Sequence, residues 1–367
     1  VEDAWAYDPD AGTLSHGTVP WVLTGNAVGT NLTVTGVFSQ PPTSARIPLE
    51  DPVADGYRIA EIGELAFALN TVATGNLVIP ETVSVIGEGA FYGCRGFSGT
   101  LTLPDSITNI AWKAFFDCSG FVGQLKLPGR IREIRDGVFA GCSGFTGHLA
   151  VPDDVTNIEH EAFASCDGLT SLYIPASVVQ IQELAFYACE HLRSVIYACD
   201  HSAFITPYYF NLDSVTSYVF AANAASWAPF VDDGPIESGH ASWNGRPIRV
   251  LESCDVSTSD TPTPVPYAWL LTFKGLVANG DFEAAAGSDP DGDGMNTWAE
   301  YVAGSDPTNA ASVFRASIDA ERNIHWSPDL SDRLYAVEGK ASLTDSEWRT
   351  PDAGCRFFRV RVELPKQ

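Results

Sequence analysis

The sequence predicts an α/β solenoid, each coil joining a strand to a short helical turn, followed by a mainly β C-terminal domain. Three observations predict it. A phenylalanine recurs at Phe67, Phe91, Phe115, Phe139, Phe163 and Phe186, at intervals of 24, 24, 24, 24 and 23 residues. A cysteine follows three residues later at Cys94, Cys118, Cys142, Cys166 and Cys189. A Ser/Thr/Pro-rich stretch, Ser253 to Pro266, then separates the periodic part from an aperiodic remainder. Units this short lack a complete core of their own and bury their apolar sides by stacking.

Residues 1–46 alternate apolar and polar positions around turn signals, as in Trp21-Val-Leu-Thr and Asn31-Leu-Thr-Val-Thr. This pattern predicts short strands, read as an N-terminal β cap that covers the open edge of the first coil. Asp8-Pro-Asp10-Ala-Gly12 within it reads as a turn, because no later acid completes a ligand set. Residues 47–252 are read as the solenoid with its C-terminal cap, 200–252, where the period fails near Trp227 and Trp243. In Thr100-Leu-Thr-Leu-Pro104, period two points the leucines inward and Thr100 and Thr102 outward, and proline ends the strand. Ile107 and Ile110 form a second inward pair, Ala114 and Phe115 pack a short helical segment, and Cys118 with Phe121 closes the unit. Residues 253–266 are an extended linker. Residues 267–367 form the last domain, with a short helix at Tyr267 to Lys274, an acidic loop, and strands around Arg333-Leu-Tyr-Ala-Val and Phe357-Phe-Arg-Val-Arg-Val.

The repeated string Leu-x-Leu-Pro-x-x-(Val/Ile)-x-x-Ile-x-x-x-Ala-Phe-x-x-Cys resembles the BspA-type leucine-rich repeat of bacterial surface proteins over roughly residues 58–200. Val138 replaces one alanine, and Asn70 stands in place of the first cysteine. The resemblance implies a leucine-rich repeat solenoid and adhesion or host and matrix contact. It brings no catalytic residues with it.

Composition narrows the function classes. A net charge of −25 and a pI of about 4.4 oppose nucleic acid and anionic lipid as partners. No apolar run of membrane-spanning length occurs. Met295 is the only methionine, and the sequence is read as a processed chain of an extracellular or surface-displayed bacterial protein. One cysteine per coil at equal spacing makes a column of small buried thiols rather than disulfides. A bridge between Cys254 and Cys355 is expected outside that column. The seven histidines are dispersed, without zinc spacing, and no nucleophile motif occurs, so no enzyme is expected.

The strongest chemical signal is Asp289-Pro-Asp291-Gly-Asp293-Gly294-Met295-Asn-Thr297-Trp-Ala-Glu300. Carboxylates at loop positions 1, 3 and 5, glycine at 6 and glutamate at 12 suit one hard cation with oxygen ligands. Met295 would give its carbonyl, Thr297 would act directly or through water, and Asn296 to Ala303 would form the exiting helix. Gly287-Ser288 should break any entering helix. In this respect the stretch, with Gly304-Ser-Asp306-Pro307 behind it, is similar to the calcium loops of dockerins and thrombospondin type 3 repeats. A structural Ca²⁺ is the expected cofactor, with Asp306 as an additional candidate ligand, against the alternative of a solvated acidic loop.

The outward strand positions Thr100, Thr102, Gln124, Lys126, His148, Ser171 and Tyr173 form one expected partner face, since solenoids use such surfaces for extended ligands. Trp112, Tyr92 and Phe116 offer an aromatic alternative. The sequence therefore reads as a non-catalytic adhesion or binding protein for a host, matrix or neighbouring-cell protein or glycan. A carbohydrate-recognition or polysaccharide-associated module is the alternative.

Overall fold

The structure is a computed structural model. It describes residues 4–199 except 18, 20 and 41–44, then 204–205, most of 215–251, and beyond these the elements and loop named below between 261 and 363. The chain divides into two compact units, Val1–Leu251 and Glu252–Gln367.

The first unit opens with an antiparallel meander, β1 (Trp5–Asp8), β2 (Thr13–His16), β3 (Val22–Val28) and β4 (Asn31–Ser39). Trp5 and Trp21 are fully buried, and their indole N–H groups donate to the carbonyls of Pro48 (2.9 Å) and Arg46 (3.0 Å). The meander then joins the repeats directly, because β4 pairs in parallel with β5 (Arg58–Ile62) and so leaves no bare edge there.

Each coil carries two strand positions. One column holds β5, β7 (Val85–Ile86), β9 (Asn109–Ile110), β10 (Glu133–Ile134), β12 (Asn157–Ile158), β14 (Gln180–Ile181) and β16 (Phe204–Ile205). Its parallel pairings align Ile62 with Ile86 and Ile110, and Ile134 with Ile158, Ile181 and Ile205. The other column holds β6 (Gly75–Val78), β8 (Phe97–Thr102), β11 (Gly147–Ala150), β13 (Leu169–Ile174), β15 (Ser194–Tyr197) and β17 (Thr216–Val219). In this column Leu77 faces Leu101, and Leu149 faces Leu172 and Val195, all buried. The prolines that end these strands close corner turns: the amides of Val83, Ile107, Val155 and Val178 donate back to the carbonyls of Pro80, Pro104, Pro152 and Pro175.

The one coil of 23 residues has a local cause. Four residues carry Phe145 to Leu149 and only three carry Leu169 to Leu172, and the register between the two strands shifts at Gly147-His148, where Gly147, at φ 80°, faces Leu169 and His148 faces Ser171.

The expected helical turn is absent. Between the two columns the backbone runs through consecutive turns, with positive φ at positions four apart: Lys113 and Asp117, Gly137 and Gly141, Glu161 and Ser165. Alternate amides point along the solenoid axis. Those of Lys113, Phe115 and Asp117 donate to the next coil's Asp136, Val138 and Ala140 carbonyls at 3.0, 2.9 and 2.7 Å. The intervening amides of Ala114, Phe116 and Cys118 bond three residues back within their own coil. A helix would have consumed every amide internally and left neighbouring coils unbonded at this corner.

The corner is filled by stacked rings. Phe67, Phe91, Phe115, Phe139, Phe163 and Phe186 lie nearly parallel, with centroids 5.1 to 5.5 Å apart. Phe97 and Phe121 meet them edge-on. Every repeat cysteine is a free buried thiol that donates to a phenylalanine carbonyl one coil back, from Cys94 on Phe67 (2.9 Å) to Cys189 on Phe163 (3.2 Å). Asn70 replaces this contact in the first coil, accepting from the Val72 and Ala73 amides and donating to Gln40 of the cap. At the far end β19 (Arg246–Val250) extends the sheet in parallel, β18 (Ser242–Trp243) turns back on it, and α1 (Ala224–Trp227) brings Trp227 against Tyr197 and Trp243.

The second unit contains the short helices α2 (Tyr267–Leu270), α3 (Phe282–Gly287) and α4 (Thr297–Ala303). Tyr267 stacks on Phe282 at 3.9 Å. Two antiparallel pairs follow, β20 (Arg315–Ile318) with β21 (Ile324–Ser327) and β22 (Leu334–Lys340) with β23 (Phe357–Glu363). Cys254 and Cys355 lie outside the described residues. Among the described residues no helix is long and apolar enough to cross a membrane.

Candidate functional site

The expected partner face survives only in part. Thr100, Thr102, Gln124 and Lys126 are exposed, whereas His148, Ser171 and Tyr173 are 6%, 8% and 8% exposed. Period two orients these three outward correctly, but their ladder neighbours take their solvent. His148 Nδ1 lies 2.8 Å from Ser171 Oγ, and the Gln124 amide donates to the His148 carbonyl at 3.1 Å. Tyr173 stands in a row with Ile196 and Tyr218, which are equally buried. Burial pushes the Tyr173 phenol up to about 12. The available face is therefore the N-terminal half of the expected one. It ends at a cavity of about 380 Å³ between the 49–59 segment and the first coils, with Val78 and Thr102 in its wall and Val53, Tyr57 and Thr82 around it.

The repeat cysteines offer no chemistry of their own. Burial pushes the Cys94, Cys142 and Cys189 thiols up to about 12 and those of Cys118 and Cys166 well above the ordinary thiol value, so none supplies a thiolate at neutral pH.

The acidic loop is arranged quite differently. Asp289, Asp291 and Asp293 each bring a carboxylate oxygen within 4.8 Å of the others, the one such cluster among the described residues. Backbone amides shape it. Gly292 and Gly294 donate to the two oxygens of Asp289 (2.9 and 3.0 Å), Asp293 to Asp291 Oδ1 (3.2 Å) and Met295 to Asp293 Oδ1 (2.8 Å). Gly292 and Gly294 have φ of 75° and 95°, conformations that residues with a Cβ rarely adopt.

Three oxygens are left over: Asp291 Oδ2, Asp293 Oδ2 and Glu300 Oε2 are buried and lack a hydrogen-bond partner. Glu300 is 0% exposed, and its other oxygen accepts from Ser305 Oγ at 3.2 Å. Its burial, then the charges of Asp291, Asp293 and Asp289, push its carboxyl up to about 7. The clustered oxygens of Asp289, Asp291 and Asp293, with buried carboxylate oxygens that have no donor, fit a hard divalent cation, which prefers oxygen ligands and neutralises the repulsion.

The other expected ligands fall into different places. Thr297 closes the loop: its amide and hydroxyl both donate to the Ser288 carbonyl, at 2.8 and 3.2 Å. Met295 stands between Asp293 and Thr297, its amide engaged by Asp293. Asp306 faces its own turn instead, where Oδ1 accepts from the amide and hydroxyl of Thr308. The entering helix, expected to be absent, is present as α3 and stops at Gly287, so Gly287-Ser288 ends a helix rather than preventing one.

Residues 60–193 and 134–226 match the BspA type leucine rich repeat region, in six copies. No curated protein matches. Solved structures do. A leucine rich repeat protein of T. pallidum is 23% identical, with 47% of this chain and 78% of that chain covered and a TM-score of 0.42. A leucine rich cell surface protein of Faecalibacterium prausnitzii is 18% identical, covering 57% and 77%, with a TM-score of 0.32. The pneumococcal vaccine antigen PcpA is 12% identical, covering 63% and 97%, with a TM-score of 0.28.

Proposed function

We propose that this chain, a BspA-type leucine-rich repeat solenoid over residues 60–226, is a non-catalytic binding protein of the bacterial surface or extracellular space. Its exposed strand face engages a host, matrix or neighbouring-cell macromolecule. The observation that carries this reading is the segregation of positions. Leu, Ile, Phe and Cys are consumed by stacking, while Thr100, Thr102, Gln124 and Lys126 stay exposed beside the cavity at the cap. A rigid, extended surface with a pocket at one end suits a partner that lies along the coils.

The test is binding of the full chain to arrays of matrix proteins and glycans, repeated with Thr102→Arg and Lys126→Glu. Loss of at least tenfold in affinity for the captured partner is expected. Capture that both variants leave unchanged would remove the strand face from the reading.

The acidic loop holds one structural Ca²⁺ in this proposal, with Asp289, Asp291, Asp293 and Glu300 as side-chain ligands and the Met295 carbonyl completing the set. Calorimetric titration of the calcium-stripped chain is expected to give a one-site isotherm that Asp293→Ala abolishes. An identical isotherm in that variant would place the cation elsewhere.

A further inference from the structure

On the other column of the solenoid lies a groove whose chemistry the strand face does not share. Its volume is about 660 Å³, and its wall comes from three successive coils: Thr108 and Asn109, then Arg130, Arg132 and Glu133, then Asp154. None of these side chains is apolar. Arg130 and Arg132 flank buried Ile131, both line the groove, and both are exposed. Arg135, the third arginine at the groove, is held by Glu133 (2.6 Å) and Glu159 (3.6 Å). Among the described residues, neither Arg130 nor Arg132 makes an ion pair. Their backbone is nevertheless fixed: the Gly129 amide donates to Asp105 Oδ1 at 3.0 Å, and the Arg132 carbonyl accepts the Thr156 amide at 2.8 Å.

We propose that this groove binds an acidic glycan, with Arg130 and Arg132 taking a sugar carboxylate or sulfate and Thr108, Asn109, Glu133 and Asp154 bonding the ring hydroxyls. Guanidinium groups present paired donors matched to carboxylate and sulfate oxygens. A polar peptide is the poorer fit, since protein interfaces depend on a buried aromatic or aliphatic anchor and this wall offers none. Duplex nucleic acid is poorer still. The net charge of −25 repels a dense line of phosphates, whereas beyond about 8 Å that field is screened at physiological salt, and sparse anions on a short oligosaccharide meet the arginines at contact. This site lies apart from the strand face, so either can fail without the other.

Titration of the full chain at about 150 mM salt tests it, using an oligogalacturonate, a sulfated heparin oligosaccharide, a neutral malto-oligosaccharide of the same length and a hexaglutamate peptide. At least one anionic glycan should bind, and which one does identifies the anion. The neutral sugar and the peptide should bind at least tenfold more weakly. Arg130→Gln/Arg132→Gln should weaken the glycan by about tenfold or more, the scale of one lost charged hydrogen bond. Lys113→Gln, a charge removed from a different face, should leave it within twofold. Absence of binding by both anionic glycans, unchanged affinity in the double variant, equal loss in Lys113→Gln, or equal binding of hexaglutamate would each overturn the proposal.

Discussion

The phenylalanine–cysteine corner of the solenoid and the acidic loop of the second unit both bury polar atoms, and they settle them in opposite ways. In the corner the polar groups are met by their own coil or the neighbouring one. The thiol finds a carbonyl, alternate amides find carbonyls one coil on, and ring meets ring. In the loop, backbone amides satisfy one oxygen of Asp291 and of Asp293 while the second is buried with nothing to accept from, as is one oxygen of Glu300. A structure that repeats can balance its polar groups with copies of itself; a structure that occurs once has no copy to do so.

The comparison breaks first at the ring stack. Phe115→Ala removes a fully buried side chain that touches rings on both sides, and denaturant unfolding should show a loss of about 3–5 kcal/mol. Calcium comes next. If the loop is completed from outside, raising Ca²⁺ from zero to about a hundred times its dissociation constant should stabilise the second unit by about 2.7 kcal/mol, read as a calcium-dependent unfolding transition.

Without calcium the pH dependence reveals Glu300. Its folded value, about 7, lies above its ordinary 4.5, so the folded form favours the protonated acid. The stability this contributes is complete below about 4.5, falls as pH rises through 7, and is then gone. Saturating calcium should abolish that decline, because the cation favours the ionised form. A calcium-free chain whose second unit holds steady from pH 4.5 to about 7, the interval the shift spans, would contradict the burial described for Glu300.

Cys142→Ala deletes a thiol donor and leaves a small gap, an effect of about 1–2 kcal/mol. Its native thiol should resist iodoacetamide at pH 8 until the chain unfolds. The smallest effect is expected at the groove. Arg130→Gln/Arg132→Gln should change unfolding stability by no more than about 0.5 kcal/mol, since exposed unpaired side chains support no packing.

Much of this contrast is visible in the residues alone. The ladders of Ile, Leu, Phe and Cys recur in sequence and therefore in space, and the acidic loop announces its carboxylates and glycines by spacing. The turn at Ala114-Phe115 was not legible as a turn. Phe115 and Cys118 three residues apart suit a helical face, and the positive-φ positions carry Lys113, Asp117, Glu161 and Ser165 as readily as glycine. Glycines at 89, 93, 137 and 141, two coils with the same pair four apart, are the one signal that pointed there. Alternation placed His148, Ser171 and Tyr173 on the outside, yet exposure depends on neighbours 23 residues away, which no local pattern reports. The arginine groove is likewise invisible until Thr108, Arg132 and Asp154 are stacked.

The axial amides have a consequence for how such a chain changes length. The amide of Phe91 donates to Ala114, that of Phe115 to Val138, and that of Phe139 to Ala162, so the bonding groups at each corner are interchangeable from coil to coil. Removing one whole coil, 112–135, would bring Phe91 opposite Val138 with each donor again facing an acceptor. Removing half of it would strand both. The bonding at the corner thus permits growth or shrinkage by tandem copying in steps of one repeat, with the surface positions of each copy gained or lost along with it.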